Sequence, residues 1–275
     1  MADDLVYRRF APPDDARAII DHLWVVRQPA GTSVREVLLP DGHGLVLVTT
    51  GEPGSRVDPL TGVRGADAAG VRGLATRALV REQAGPSVRL GAQLDPLALA
   101  RLDVRTRAAD RSEPLALLVD DAVVARIVGD LDAGRDEVAA RSLARAILER
   151  RKPGDDDPSL ALLGPVVRHV ATERGLVTTA ELARRADQAL MTLHRWFSEH
   201  TGVDPARYLA AVRFSAFVRE AVGPGPVRPQ DVLAAIRWYA GAGYPPREVE
   251  RFTGLAPLAL RAVERGIADA LGVPA

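Results

Sequence analysis

The chain has 275 residues, 36 Lys+Arg against 36 Asp+Glu, 47% apolar residues and no cysteine. That length and apolar content predict a folded chain with more than one core, and the missing thiols exclude disulfides and thiolate chemistry. Zero net charge leaves little long-range attraction for a polyanion.

The start, MADDLV, is acidic and polar, and no apolar run is long enough to span a bilayer, so a cytoplasmic chain without a membrane segment is expected. Residues 17–26 read as a short helix running into a strand through Ile19, Ile20, Leu23, Trp24 and Val25. Two β-rich runs follow at 34–39 and 45–49, joined through Pro40-Asp41-Gly42, and predict a hairpin or close strand pair. Further strands are expected at 57–60, 74–82 and 87–94, separated by glycine-containing turns, which suggests a small barrel or sandwich. Trp24 reads as a core residue of this half, or, with Tyr7 and Phe10, as the lining of an apolar ligand pocket.

Helical periodicity takes over after residue 96. Short helices are expected at 97–102, from 113 into 120–131, and at 134–151, the last with Val138, Leu143, Ile147 and Leu148 as its apolar side, free to pack on the β half or on a second copy. Residues 150–157, RRKPGDDD, are charged, contain Pro-Gly and have nothing apolar to bury. The expected organisation is a β-rich domain at 1–150, a linker at 151–160 and an all-α domain at 161–275. Up to residue 160 there are 22 Lys+Arg against 25 Asp+Glu, and beyond it 14 against 11, so the second part is slightly the more basic.

Within that part, residues 178–221 read as three helices. Thr178 or Thr179 is placed to cap the first and Glu181 supports its opening turn. Ala186-Asp187-Gln188 forms the turn, and a second helix over 189–198 directs Leu193 and Phe197 inward. Asp204-Pro205 opens the third, with Tyr208, Val212 and Phe214 on its apolar side. Two short helices joined by a tight turn suit a helix-turn-helix, and they equally suit an ordinary helical subdomain; periodicity leaves both open.

The run Leu182-Ala183-Arg184, then Leu193, Arg195 and Phe197, then Thr201-Gly202 with Pro205, Tyr208, Leu209 and Arg213, resembles the first helix-turn-helix of the AraC/XylS family of transcriptional regulators without a gap. Trp24, Arg35, the Leu39-Pro40-Asp41-Gly42 turn and the Gly91 to Pro96 spacing resemble the sensor half of one AraC-like subgroup. The resemblance implies an α+β chain: a small β-barrel or sandwich that senses a ligand or mediates dimers, then an all-α domain with two helix-turn-helix units. It also implies partners, namely double-stranded DNA, a small-molecule effector whose identity is unknown and a second copy of the chain, in a bacterial setting. Residue for residue it places Gln188, Leu190, Met191, His194 and Arg195 on the reading helix; Arg184, Arg185, Arg207 and Arg213 suit either the DNA backbone or core salt bridges, and the sequence does not separate the two.

The chain departs from that pattern in several places. Asp187 and Ala189 stand where the family has glycine and serine, leaving Asp187 as a substitute cap, and Trp196 stands where a basic or polar residue is usual. The second unit, DVLAAIRWYAGAGYPPREVERFTG, is about five residues short, so its reading helix is held to about two turns from Pro246, with Arg247 and Arg251 left for phosphate. This shortening supports the alternative that an AraC-like body has given up DNA and instead binds, or acts on, a small molecule in specialised metabolism. No histidine pair has metal-ligand spacing, and no phosphate loop, dinucleotide fingerprint or G-x-S-x-G occurs, so neither a metal, a cofactor nor an enzyme reaction is indicated.

Overall fold

The computed structural model describes residues 5–102, 104, 109–151, 157–223 and 225–274. Among the described residues, ten strands and ten α-helices are arranged as two antiparallel sheets with helices outside each, an α+β architecture with the strands in the amino-terminal half. The first sheet has the order β1 (Val6–Phe10), β2 (Ile20–Gln28), β9 (Ser87–Leu94), β4 (Gly44–Gly51), β7 (Gly70–Arg72), β10 (Ser112–Glu113). The second has the order β3 (Ser33–Leu38), β8 (Leu79–Ala84), β5 (Gly54–Val57), β6 (Arg64–Asp67). Both expected strand runs at 34–39 and 45–49 form, but they do not pair. β3 joins β8 and β4 joins β9 and β7, so the connection through Pro40-Asp41-Gly42 carries the chain from one sheet to the other. Asp41 braces that crossing, accepting from the His43 amide at 3.0 Å and from the Gln93 side chain at 2.7 Å.

Strand alternation sorts side chains into layers. Leu23, Val25, Val46, Val48, Leu90 and Ala92 point away from the second sheet into a cluster closed by α2 (Asp121–Asp132) and α3 (Asp136–Leu148). The buried side of α3 is Ala139, Ala140, Leu143, Ala144 and Ile147; Val138, expected there, is exposed. Helix α3 therefore packs on its own sheet, and Asp136 at its start receives Arg27 and, at 3.1 Å, Arg8.

The carboxyl-terminal half comprises α4 (Pro158–Thr172), α5 (Thr179–Arg185), α6 (Leu190–Thr201), α7 (Pro205–Val222), α8 (Pro229–Gly241), α9 (Pro246–Thr253) and α10 (Pro257–Leu271). Helix α4 begins inside the expected 151–160 linker, of which residues 152–156 lie outside the described residues. Both apolar clusters of this half reach into the β half. Leu74 and Leu97, the latter just before α1 (Ala98–Arg101), join Leu163, Val167, Leu182, Leu193, Phe197 and Tyr208. Val37, Ala78 and Val80, on the outer face of the second sheet, join Phe214, Val218, Val232, Ile236 and Ile267. The seam is tight: a β-carbon at Gly266 of α10 would fall on the carbonyl oxygen of Pro59, and Val37 donates its amide to the Val227 carbonyl at 2.7 Å.

Candidate reading face and barrel interior

Helix α5 starts with a reciprocal cap. The Glu181 amide donates to Thr178 Oγ1 at 3.2 Å while the Thr178 amide donates to Glu181 Oε2 at 2.6 Å, so two donors the helix leaves open are satisfied. The amide and hydroxyl of Thr178 hold the Glu181 carboxyl below its ordinary range. Leu182 and Ala183 face inward, and Arg184 and Arg185 are exposed.

Asp187 occupies the turn in the left-handed region, φ +50°, where glycine would sit without a Cβ penalty. The substitute cap expected from Asp187 is not made: Ala189 is the N-cap of α6 and no side chain bonds the open amides there. A strained turn and an open helix start therefore coincide. At the other end α6 runs to Thr201, three residues past its expected limit. Gly202 is left-handed at its C-cap, and Thr201 Oγ1 donates to the Phe197 carbonyl at 2.7 Å.

Leu193 and Phe197 are buried, with the Phe197 ring 5.6 Å from that of Tyr208. The opposite side of α6 presents Leu190 (43% exposed), Met191 (79% exposed) and Arg195, with Gln188 and His194 half-buried at its edges. The face thus combines two apolar side chains with the exposed guanidinium groups of Arg184, Arg185 and Arg195. Trp196 is half-buried, packed on the cluster that Leu74 and Leu97 share with the helices, and α6 touches α1. Its indole suits this flank of the helix, which meets the β half.

Arg207 does not join that face. Its side chain turns to the β half, donating to Thr76 Oγ1 at 3.0 Å and pairing with Asp110 at 2.8 Å. Asp110 also accepts from the Thr76 amide at 2.7 Å and hydroxyl at 2.6 Å, and from Arg77 at 3.3 Å.

In the second unit α9 has eight residues, about 12 Å of helix. Arg247 and Arg251 are exposed, but so are Glu248 and Glu250, and Arg251 leans over the Phe252 ring at 5.6 Å. Beside it lies an open groove of about 840 Å³ lined by Phe217, Trp238, Tyr239, Tyr244 and Phe252. Trp238 is 70% exposed, and the Tyr239 and Tyr244 rings stack 4.9 Å apart.

Tyr7, Phe10 and Trp24 do not line one pocket. The register pairs Phe10 with Leu23 on the side facing α2 and α3, and pairs Tyr7 with Val26 and Arg9 with Trp24 on the other side. Phe10 packs into the helix-covered cluster, Tyr7 is half exposed, and the Trp24 ring lies flush on Gly91, where a β-carbon would collide with it.

Between the two sheets the side chains are largely ionic. Arg81 has no exposed surface; it donates to Asp67 at 2.5 Å, Glu36 at 3.1 Å and Gln83 Oε1 at 2.9 Å. Arg72 reaches Asp67 at 2.7 Å, Arg89 reaches Glu36 at 3.1 Å, and Arg56 stands 3.5 Å from Asp67. Arg89 also lies 5.8 Å from the Trp24 ring. Burial raises the Asp67 pKa, yet Arg72, Arg81 and Arg89 together outweigh it and hold the carboxyl below its ordinary range, while burial lowers Arg72 and Arg89. These residues were missed in the sequence because arginine reads as surface. The signal was there in β8, where Arg81 and Gln83 hold alternate positions that a sandwich turns inward.

No family model matches the chain, and no curated protein matches it. Among solved structures, ToxT from Vibrio cholerae O395 is similar at 9% identity with a TM-score of 0.41, over 94% of this chain and 98% of that one. ToxT bound to (E)-4-(8-methylnaphthalen-1-yl)but-3-enoic acid is similar at 9% identity and 0.40, over 94% of each chain. The AraC-like transcriptional activator CuxR is similar at 11% identity and 0.28, over 78% of this chain and 87% of that one.

Proposed function

We propose that this chain is a ligand-responsive, DNA-binding transcriptional regulator of the AraC-like type that acts in the cytoplasm. The observation that carries the reading is the α5–α6 pair: a capped first helix, a four-residue turn, and a second helix fixed by Leu193 and Phe197 with its far side open to solvent. In this reading α6 enters a major groove. Gln188, His194 and Arg195 address base edges, Leu190 and Met191 offer thymine-methyl contacts, and Arg184 and Arg185 hold phosphates. Arg247 and Arg251 add backbone contacts from the short α9, and Arg207 joins them only when its pairing with Asp110 opens. The β half is the sensor, and pairing of two copies compensates for the weak second unit.

The test is fluorescence anisotropy of the full chain with duplex DNA from upstream of its own gene, at two salt concentrations. Four arginine–phosphate contacts, from Arg184, Arg185, Arg247 and Arg251, give a log–log salt slope of about −3.5, reduced by about 1 in Arg184→Ala. Absence of salt-sensitive binding at micromolar protein overturns the reading.

One observation favours a second reading, a protein that has left DNA for a small molecule: the aromatic groove beside α9 is large and apolar where a longer reading helix would be expected. In that case the full chain fails the anisotropy test, and apolar aromatic compounds quench Trp238 saturably.

A further inference from the structure

The space between the sheets holds more positive charge than it neutralises. Arg56, Arg72, Arg81 and Arg89 meet Asp67 and Glu36, four guanidinium groups against two carboxylates, and every ion pair among them is made within this group. Arginine does not give up its proton at neutral pH, so the excess cannot be removed by titration. Uncompensated charge out of water is strongly unfavourable, and the usual remedy is a counter-charge with hydrogen bonds.

A second observation points the same way. Arg72 is 9% exposed, and its Nε has no hydrogen-bond partner among the described residues although the same guanidinium is bonded to Asp67. A donor is therefore left open inside the cluster. The cluster is also reachable, since the side chains of Arg56, Glu36 and Arg72 keep 18%, 15% and 11% of their surface.

We infer that the barrel interior binds a compact oxyanion, of phosphate or small-dicarboxylate type, held by the guanidinium groups of Arg72 and Arg56 and neutralising the excess. Planar guanidinium forks match such oxygens in geometry and charge. As the effector site of a regulator this rests on the function proposed above; as an anion site it stands on the charges alone. Occupancy ties the second sheet, which carries Arg56 and Arg81, to the first, which carries Arg72 and Arg89. The outer face of the second sheet is the one that α7, α8 and α10 pack against through Val37 and Val80, so the anion stiffens the support of the helical half.

The test is calorimetric titration and thermal unfolding of the full chain with inorganic phosphate and with malonate, against chloride at matched ionic strength. The expected result is saturable binding of at least one of the two with a rise in Tm, and which of them binds assigns the class. In Arg56→Gln the affinity falls about tenfold, the scale of one lost charge-assisted contact, while the anion-free variant unfolds at the same temperature as the parent or higher because part of the excess is gone. Arg72→Gln supplies the same comparison if the first variant does not fold. No saturable binding of either anion overturns the inference, as does an Arg56→Gln protein that is less stable without anion yet responds to it unchanged. DNA anisotropy on the same samples separates the two proposals, since anion binding without DNA binding leaves this site standing and removes the regulator, and the converse does the opposite.

Discussion

Arg207 and Asp110 stand 2.8 Å apart across the seam between the strands and the helices, and the two are unequal partners. Arg207 keeps half its side chain in water, whereas Asp110 is mostly buried and gathers Thr76, Arg77 and Arg207. Removing the arginine should cost about 0–1 kcal/mol, as for an exposed pair. Asp110→Ala should cost about 1–3 kcal/mol, because it takes the acceptor from the partly buried Thr76 amide and hydroxyl. Urea unfolding of both variants measures the difference, and equal costs would mean that Asp110 does not organise this corner.

The start of α6 can be improved. Ala189→Ser supplies the missing cap and should add about 0.5–2 kcal/mol. Asp187→Gly relieves a left-handed aspartate and should add about 1 kcal/mol or less. Chemical denaturation checks both, and a loss of stability in Ala189→Ser would show that the open amides face a need other than capping.

Stability should depend on acid in a defined direction. Burial opposes the charge on Asp136, Asp67 and Glu264, but their arginine partners prevail and hold each folded-state pKa below its ordinary range. A depressed folded-state pKa gives stability that is full above the unfolded value, about pH 4, and is lost as pH falls through the folded value. Urea midpoints should therefore be flat between about pH 5 and 7 in so far as these groups decide, and drop below about pH 4. Asp136→Asn should lower the midpoint at pH 7 and flatten the acid limb; an unchanged acid limb would deny Asp136 its part.

Gly266→Ala places a methyl group on the Pro59 carbonyl and should destabilise by about 1–3 kcal/mol, in the manner of an overpacked core. Hydrogen exchange should report the loss in both β5 and α10, since the two give way together. Faster exchange in α10 alone would mean that the turn at Pro59 simply moves aside.

Much of the helical half was legible in the sequence because its signals are local. Thr178 and Glu181, Asp204-Pro205 and the brevity of α9 after Pro245-Pro246 all behave as their types and spacing dictate. The β half was harder. The residues of β1 alternate poorly because Arg8 and Arg9 interrupt them, β6 exposes three of its four residues, and β7 has only three, so none reads as a strand. The false hairpin arose because a Pro-Asp-Gly turn specifies a reversal and not the sheet that receives the next strand. Of the candidate site, the period of α6 gave the buried Leu193 and Phe197 and set His194 and Arg195 off that stripe, whereas the outward Leu190 and Met191 came from the family resemblance and not from spacing. The diversion of Arg207 and the charged barrel interior did not, because both depend on partners far away in sequence.

Because Val37, Ala78 and Val80 share an apolar cluster with four of the seven carboxyl-terminal helices, and Leu74 and Leu97 share another with three more, each half keeps apolar surface that only the other covers. Severed between residues 151 and 158, the pieces would each expose greasy surface that the whole molecule hides, so the chain should melt in one transition, and scission at that point should yield aggregates in place of two working parts.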